Sequence, residues 1–229
     1  MIPKVIHYCW FGRNPLPESA KKCIASWRKF FPDYEIKEWN EDNFDVNIIP
    51  YTTEAYQAKK YAFVSDYARF WILYHYGGIY FDTDVEVIKP MDDILARGPF
   101  MGIENRKPPI NVAPGLGLGV EAYNPVYKMI LEQFVNNLYR INQLQKGNVV
   151  YFATKIFKEL GLKDENKLQI ISEFTIYPSE YFNPYNYVNG VLDIKSETRS
   201  IHWYGGSWMS RFKRIKLFLG RIMRFYLWK

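Results

Sequence analysis

The segment FVSDYARFWILYHYGGIYFDTDVEVIKP, residues 63–90, contains the pattern that decides the fold. It begins as an apolar, helix-like run, passes through Gly77 and Gly78, and continues as a strand-like run interrupted by two aspartates. Glycine commonly ends helices, and Tyr, Ile, Phe and Val favour strands. The segment therefore predicts a helix that turns into a buried strand, with Asp82 and Asp84 where that strand breaks.

The residues before this segment continue the same alternation of elements. PKVIHYCW (3–10) and YEIKEWN (34–40) have the composition of strands, and residues 14–32 between them have helical spacing. This alternation predicts an α/β fold in which helices flank a mixed, mostly parallel sheet. Further elements are predicted as a strand at 99–104, a Pro- and Gly-rich loop at 105–119, helices at 124–139 and 149–160, and short strands within 166–200.

Composition indicates one sizeable domain in a reducing compartment. The 229 residues are 48% hydrophobic, which is enough for a substantial core. Cys9 and Cys23 suggest neither a disulfide framework nor a metal-binding spacing. The sequence shows no signal-peptide pattern and no apolar run near the roughly 20 residues of a membrane-spanning helix. We therefore expect a cytoplasmic protein.

Positive charge is concentrated in residues 210–229. This tail carries seven basic residues and no acid, whereas the other 23 basic residues stand against 24 acidic ones. A neutral body makes a nucleic-acid partner unexpected. We divide the chain into a domain over 1–209 and a basic amphipathic helix over 210–229, which either packs on the body or docks on anionic lipid at the inner face of the cell membrane. The apolar side of this helix contains Phe212, Ile215, Leu219, Ile222 and Tyr226.

The two aspartates form a candidate cation site. On a strand, residues i and i+2 point to the same face, so Asp82 and Asp84 can converge on one point. Two carboxylates at such a short distance repel each other unless a cation lies between them. Their oxygen atoms are suitable ligands for Mg²⁺ or Mn²⁺. Hydrophobic neighbours indicate a half-buried setting, where charges must be paired or metal-bound. From the pair alone, exposed turn carboxylates remain an alternative.

Three motifs, in order along the chain, resemble glycosyltransferase family 32. Residues 63–90 contain S-D-x-x-R, G-G-x-Y and D-x-D, residues 2–12 resemble the family's opening strand, and IHWYGGSW (201–208) resembles its closing element. Residues 105–200 match only loosely. The resemblance implies a GT-A fold, a Rossmann-like sheet that binds a nucleotide-sugar and a divalent cation, usually Mn²⁺ or else Mg²⁺.

The resemblance assigns the metal site. It implies that Asp82 contacts the donor sugar or ribose and a metal-bound water, that Asp84 is a direct ligand, and that His202 completes the set. Some family members have other groups at the position of His202. The other two histidines, His7 and His75, lie in apolar segments and are predicted to be core residues.

Contacts to the donor base and sugar are also implied by the resemblance. Trp10 would stack on the nucleotide base, and Cys9 would contact the base through its backbone. Asp66 would hydrogen-bond to hydroxyls of the donor sugar, and Arg69 would approach the sugar or the phosphate. From spacing alone, Asp66 and Arg69 are equally a surface ion pair of little energetic value.

Four further residues complete the implied donor site. Ser65 and Tyr80 belong to the same motifs and would line the pocket, where Tyr80 could touch ribose or phosphate. Ser207 and Trp208 would donate hydrogen bonds from the hydroxyl and the indole N–H to the leaving diphosphate.

We therefore expect a metal-dependent, retaining glycosyltransferase. Its donor would be a nucleotide-diphosphate sugar, with UDP favoured and GDP-mannose next, and its acceptor a hydroxyl of a glycan or lipid-linked saccharide in capsule or lipopolysaccharide synthesis. By position, Glu104 and Asn111 are candidates near the anomeric carbon, or ordinary loop residues. Two other functions stay open: a nucleotide-sugar hydrolase or nucleotidyltransferase with the same metal pocket, and a non-catalytic glycan-binding module.

Overall fold

The computed structural model describes residues 1–136 and 148–205. The strands within these ranges are β1 (Val5–Cys9), β2 (Glu35–Trp39), β3 (Gly78–Tyr80), β4 (Val85–Val87), β5 (Phe100–Gly102), β6 (Leu118–Val120), β7 (Gln169–Ile171), β8 (Phe174–Tyr177) and β9 (Ser200–His202). The helices are α1 (Glu18–Phe30), α2 (Pro50–Gln57), α3 (Tyr61–Tyr76), α4 (Asp92–Leu95), α5 (Pro125–Asn136), α6 (Val149–Glu159) and α7 (Ser179–Phe182).

Seven of the described strands form one sheet in the order β2-β1-β3-β6-β5-β8-β7. β1 is parallel to both β2 and β3, and β5 is parallel to β8, whereas β6 and β7 are antiparallel to their neighbours. Five strands therefore run one way and two the other. The predicted mixed, mostly parallel sheet is confirmed.

Helices cover both faces of this sheet. Successive residues of a strand point to opposite faces, and Ile79 and Tyr80 of β3 belong to two different clusters of buried side chains. The cluster of Ile79 contains Trp27 of α1, and the cluster of Tyr80 contains Phe70 of α3 and Phe157 of α6. The predicted flanking helices are therefore confirmed.

The turn from α3 into β3 requires its two glycines. Gly77 and Gly78 have φ values of 63° and 101°, in the left-handed region that favours glycine. A Cβ atom at Gly78 would lie 2.7 Å from the carbonyl oxygen of Val5 in β1. His7 of β1 is buried here, with Nε2 3.0 Å from the Gly77 carbonyl and Nδ1 accepting from Trp39. As predicted, His7 is a core residue, and it ties three strands together.

The chain leaves the large sheet at the two aspartates. β3 ends at Tyr80, and β4 pairs instead with β9 in a separate two-stranded ribbon. The buried Trp27 indole of α1 donates to the Val85 carbonyl at 2.8 Å, and Val87 N–H donates to the Ser26 hydroxyl at 2.9 Å. The predicted strand break is therefore confirmed, and the carboxylates lie in the bend between sheet and ribbon.

Several elements differ from the sequence-based expectation. α2 and the short α4 form where no element was predicted, α7 forms within the predicted strand region 166–200, and β6 forms at the end of the predicted loop 105–119. The sequence does not indicate β6 because glycine is uncommon in strands. Gly119 is needed here, since a Cβ atom at this position would collide with the ring of Phe100. Across residues 1–136 and 148–205, none of the helices is both long and apolar enough to cross a membrane. The predicted amphipathic helix at 210–229 lies outside the described residues, and the division into 1–209 and 210–229 stays a prediction.

Candidate functional site

The predicted site residues gather at the carboxyl ends of β1 and β3. These strands are parallel neighbours, while β6 on the other side of β3 runs the opposite way. Ligands of open α/β sheets bind at the carboxyl ends of strands, at the point where the topology changes. Trp10 directly follows β1 and is half-buried, with its backbone N–H donating to the Trp39 carbonyl at 2.8 Å. Asp82 and Asp84 follow β3 at the same edge.

Asp82, Asp84 and His202 converge as a candidate metal centre. Each offers one ligand atom, and the three atoms lie within 4.8 Å of one another. The β4–β9 ribbon produces this proximity, because Val85, next to Asp84, pairs with His202. Nε2 of His202 lies 3.0 Å from one oxygen of Asp84, and Gly205 N–H donates to the other at 2.7 Å. Two carboxylates and an imidazole suit Mn²⁺, or Mg²⁺ less well, so the donor set fits the implied ion.

Asp84 and His202 stabilise each other's charged forms. Burial alone would raise the pKa of the Asp84 carboxyl, but the His202 imidazolium and the Gly205 N–H outweigh burial and lower that pKa. Burial would lower the pKa of His202, but the charge and hydrogen bond of Asp84 outweigh burial and raise it. Each group therefore favours the charged form of the other in the metal-free chain, and a divalent cation would take the place of the imidazolium proton.

Arg69 is the electrostatic centre of the donor side. It is 4% exposed, and two of its guanidinium nitrogens each lie 3.3 Å from an oxygen of Asp82. A third contact, at 2.9 Å, joins Arg69 to Asp66, and Nε donates to the Ser65 carbonyl at 3.1 Å. Burial would lower the pKa of Arg69, but these carboxylates raise it above its usual value. The alternative of a surface ion pair is wrong, because Arg69 is buried and also fixes Asp82.

Asp66 lies three residues before Arg69 on α3 and pairs with its guanidinium. Burial raises the pKa of its carboxyl to about 6, although the adjacent Arg69 charge opposes that shift. An aspartate with this environment and a fixed guanidinium partner is a good acceptor for sugar hydroxyls. Its contact with a donor sugar stays a prediction.

Tyr80 and Cys9 support the site from within the core. Tyr80 is 1% exposed, its hydroxyl donates to Asp82 at 3.0 Å, and the Arg69 guanidinium lies over its ring at 4.9 Å. Cys9 is buried, and burial raises the pKa of its thiol to about 12, so the thiol stays neutral. Ser65 is half-buried, and its hydroxyl donates to the Tyr61 carbonyl at 3.2 Å. Direct donor contacts of these three residues stay predictions.

Gly115 is a site residue that sequence reasoning missed. It lies in the predicted covering loop 105–119, and its carbonyl accepts from Asp82 N–H at 3.4 Å. A Cβ atom at this position would collide with the Asp82 carboxylate and approach Arg69. The repeated glycines of PGLGLG (114–119) were the available signal, because close backbone approach to a charged side chain requires them.

The remaining predicted residues fall into two groups. Glu104 is half-buried within electrostatic reach of His202, and its backbone N–H donates to the carbonyl of Asn111 at 2.9 Å. Asn111 therefore holds the Glu104 backbone. Ser207 and Trp208 lie outside the described residues.

Similarity to known proteins agrees with this geometry. Residues 17–101 match the family profile described as a glycosyltransferase sugar-binding region containing a DXD motif. An uncharacterised glycosyltransferase of Acanthamoeba polyphaga mimivirus is 30% identical over 196 residues, which are 82% of this chain and 76% of that protein. Inositol phosphoceramide mannosyltransferase 1 of Schizosaccharomyces pombe is 32% identical over 111 residues, or 44% of this chain. That alignment spans only 33% of the mannosyltransferase.

Two solved structures share the fold. The PaToxG glycosyltransferase has a TM-score of 0.53 at 21% identity, covering 69% of each chain. A glycosyltransferase involved in the glycosylation of the major capsid of PBCV-1 has a TM-score of 0.52 at 14% identity, covering 93% of this chain and 99% of that one. These likenesses confirm the predicted GT-A fold.

We predict that Gly115→Ala weakens Mn²⁺ binding by about 10- to 100-fold, because the new methyl group displaces the Asp82 carboxylate. The backbone of Gly115 is outside the left-handed region, so alanine can adopt its conformation, and the clash with Asp82 is the only defect introduced. Free Mn²⁺ measured by electron paramagnetic resonance gives the affinity. The control is Gly161→Ala, where φ is +108° and no atom lies near the added Cβ. It costs stability without touching the site, and equal Mn²⁺ affinity in the Gly115 variant and the wild type would contradict the prediction.

We predict that His202 of the metal-free protein titrates above its usual pKa of about 6.5, and His7 near 4, because burial lowers the pKa of His7. The raised pKa means that protonated His202 stabilises the fold fully below pH of about 6.5, and that this stabilisation is lost as pH rises through the folded-state pKa. NMR titration of the imidazole signals measures both values. Asp84→Asn should lower the pKa of His202 and leave His7 unchanged. A His202 pKa at or below the usual value would disprove the ion pair.

Proposed function

The chain belongs to the glycosyltransferases whose sugar-binding region contains a DXD motif, and on this basis we propose that it transfers a sugar from a nucleotide-diphosphate sugar to an acceptor hydroxyl with the help of Mn²⁺ or Mg²⁺. One observation carries the proposal. The two aspartates of the motif and His202 converge within 4.8 Å, beside the buried guanidinium of Arg69. The charge that develops on a diphosphate leaving group needs a bound metal ion and a fixed cationic side chain beside it.

The side chains of the site have different roles in stabilising the leaving diphosphate. When bound, the divalent ion supplies Lewis-acid stabilisation of the negative charge that develops there. Asp84 and His202 would hold the ion, and Asp82 would reach it directly or through a water. Arg69 keeps the Asp82 carboxylate in place and adds a fixed positive charge of its own. Because Arg69 is held by its carboxylate partners before the donor arrives, it needs no reorganisation during the reaction.

The donor lies across the ends of β1 and β3 in this proposal. The half-buried ring of Trp10 stacks on the base, and Asp66 and Arg69 bind the donor sugar. UDP is the favoured nucleotide, and GDP-mannose comes next because relatives of the chain are mannosyltransferases. Ser207 and Trp208 would add hydrogen bonds to the diphosphate.

The acceptor in this proposal is a hydroxyl of a glycan or of a lipid-linked saccharide, in capsule or lipopolysaccharide synthesis. The alignment with lipid-modifying mannosyltransferases supports an amphiphilic acceptor. The basic tail at 210–229 would then hold the enzyme on the anionic inner face of the cell membrane.

We predict that Asp84→Asn lowers donor turnover about a hundredfold or more, because the loss of a metal ligand removes several kcal/mol of charge stabilisation. The assay measures free nucleotide from UDP-glucose, UDP-galactose, UDP-N-acetylglucosamine and GDP-mannose with Mn²⁺. Asp33→Asn, which changes an exposed carboxylate outside the site, is the control. Wild-type turnover in the Asp84 variant, or undiminished turnover after chelation of the metal, would contradict the proposal. Equal turnover with and without acceptor would instead indicate a hydrolase.

We predict that the product keeps the anomeric configuration of the donor. The bond from the anomeric carbon to the leaving phosphate oxygen breaks as the bond to the acceptor oxygen forms on the same face of the sugar. The acceptor proton passes to that phosphate oxygen. Asp66 is engaged by Arg69 and is therefore poorly placed as a covalent nucleophile. Proton NMR of the product during early turnover tests this, and an inverted anomer would refute it.

A further inference from the structure

A second group of polar side chains adjoins the metal-binding residues, beyond the end of β9. Tyr204 has a φ of +50°, a left-handed conformation that is uncommon for a tyrosine. Its ring contacts the imidazole of His202 at a centroid distance of 4.1 Å. Backbone strain of this kind persists only where the surroundings fix it, and it is concentrated at functional sites.

Asn183 determines the direction of the Tyr204 hydroxyl. Asn183 is 8% exposed, and its Nδ2 donates to the backbone carbonyl of Glu104 and to the hydroxyl oxygen of Tyr204, both at 2.8 Å. A carbonyl can only accept, so the nitrogen of the amide must face Glu104 and Tyr204. The hydroxyl of Tyr204 is therefore an acceptor toward Asn183, and its own proton must be donated elsewhere.

The side chain of Glu104 provides an anion at the same place. Asn183 joins Glu104 to Tyr204 by its two hydrogen bonds, and burial, and after it the charge of Glu104, raises the pKa of the Tyr204 phenol. Burial also raises the pKa of Glu104, while His202 opposes that shift. Within residues 1–136 and 148–205, no hydrogen bond is found to the carboxylate oxygens of Glu104. The site thus has one available hydrogen-bond acceptor and one available donor beside His202.

Tyr187 extends this group outward. Its ring stacks on Tyr204 at a centroid distance of 4.6 Å and an interplanar angle of 38°, and 37% of its surface is exposed. A pyranose has apolar C–H faces and a rim of hydroxyls. An exposed aromatic ring next to one donor and one acceptor therefore matches a sugar better than it matches an alkyl chain, which has nothing to hydrogen-bond.

We propose that Glu104, Tyr204 and Tyr187 form the acceptor subsite of this chain and that the subsite binds a sugar ring. Glu104 accepts a hydrogen bond from the attacking hydroxyl, Tyr204 donates one to a neighbouring oxygen of the same ring, and Tyr187 covers a face of that ring. In transfer, Glu104 orients the hydroxyl, whose proton passes to the leaving phosphate oxygen. This inference rests on the proposed function, because it places the acceptor opposite the proposed donor.

Sugar binding tests the subsite without any turnover. The probes are methyl glycosides of glucose, galactose, mannose and N-acetylglucosamine, observed by saturation-transfer difference NMR with metal-free protein. We expect binding of at least one glycoside to the wild type, and binding about tenfold weaker in Tyr204→Phe and Glu104→Gln, as the loss of one hydrogen bond implies. Tyr181→Phe and Glu180→Gln are matched controls, since both side chains are half-buried and their contacts, Tyr181 with the ring of Tyr177 and Glu180 with Asn166, do not involve Glu104 or Tyr204.

Different results would overturn the acceptor subsite and the proposed glycosyltransferase function. No glycoside signal with the wild type, or equal signals in the wild type and both subsite variants, overturns the subsite. Loss of signal in the subsite variants together with no donor turnover by the wild type leaves the subsite standing and rejects the proposed function.

Enzyme turnover provides a second, independent test of the acceptor subsite. With donor, Mn²⁺ and the bound glycoside, both subsite variants should raise the KM for the glycoside about tenfold while the KM for the donor stays within about twofold of the wild type. An equal rise of both KM values would place Glu104 and Tyr204 in the donor site and overturn the subsite.

Discussion

The buried pairing of Arg69 with Asp66 and Asp82 is the interaction on which the site depends. A guanidinium that is 4% exposed must have anionic partners, because an unpaired buried charge is very costly. One partner comes from its own helix and the other from the end of β3, so the pairing joins both sides of the Gly77–Gly78 turn. Removal of the guanidinium would leave both carboxylates without their cationic partner, at a cost of about 3–5 kcal/mol. The ion pairs of Arg69 therefore couple α3, the Gly77–Gly78 turn and the end of β3 into one structural unit.

This unit also explains why the strand bends. Asp82 turns toward Arg69, and the chain that follows leaves the large sheet to pair with β9. The bend brings His202, distant in sequence, next to Asp84. Around this point four carboxylates (Asp66, Asp82, Asp84 and Glu104) face one permanent positive charge and one titratable imidazole among the described residues. A divalent cation at the predicted metal site would stabilise such a local excess of negative charge.

The sequence predicts the donor half of this arrangement because its signals are local. Helix spacing, the Gly-Gly turn and the D-x-D pair lie within 63–90, where short-range rules of chain geometry apply. The other half depends on contacts between distant segments, which periodicity does not encode. Asn183 reaches across to Glu104, 79 residues away, and Gly115 approaches Asp82 from a loop. β6 was missed for a related reason, since its glycine serves the packing of Phe100 rather than strand propensity.

The two halves of the site are also built from different kinds of structure. Asp66, Arg69, Asp82 and Asp84 lie on α3 and at the end of β3, all inside the matched family region 17–101. Glu104, Asn183 and Tyr204 lie outside that region, on segments between or after the regular elements. Rigid elements hold charges accurately where the bond-breaking chemistry needs them, whereas loops accept substitutions and so change ligand preference. On the proposed assignment of donor and acceptor sites, members of this family share one donor chemistry and differ in acceptor, and their substrate differences map to the loops around Tyr204 rather than to the aspartate pair.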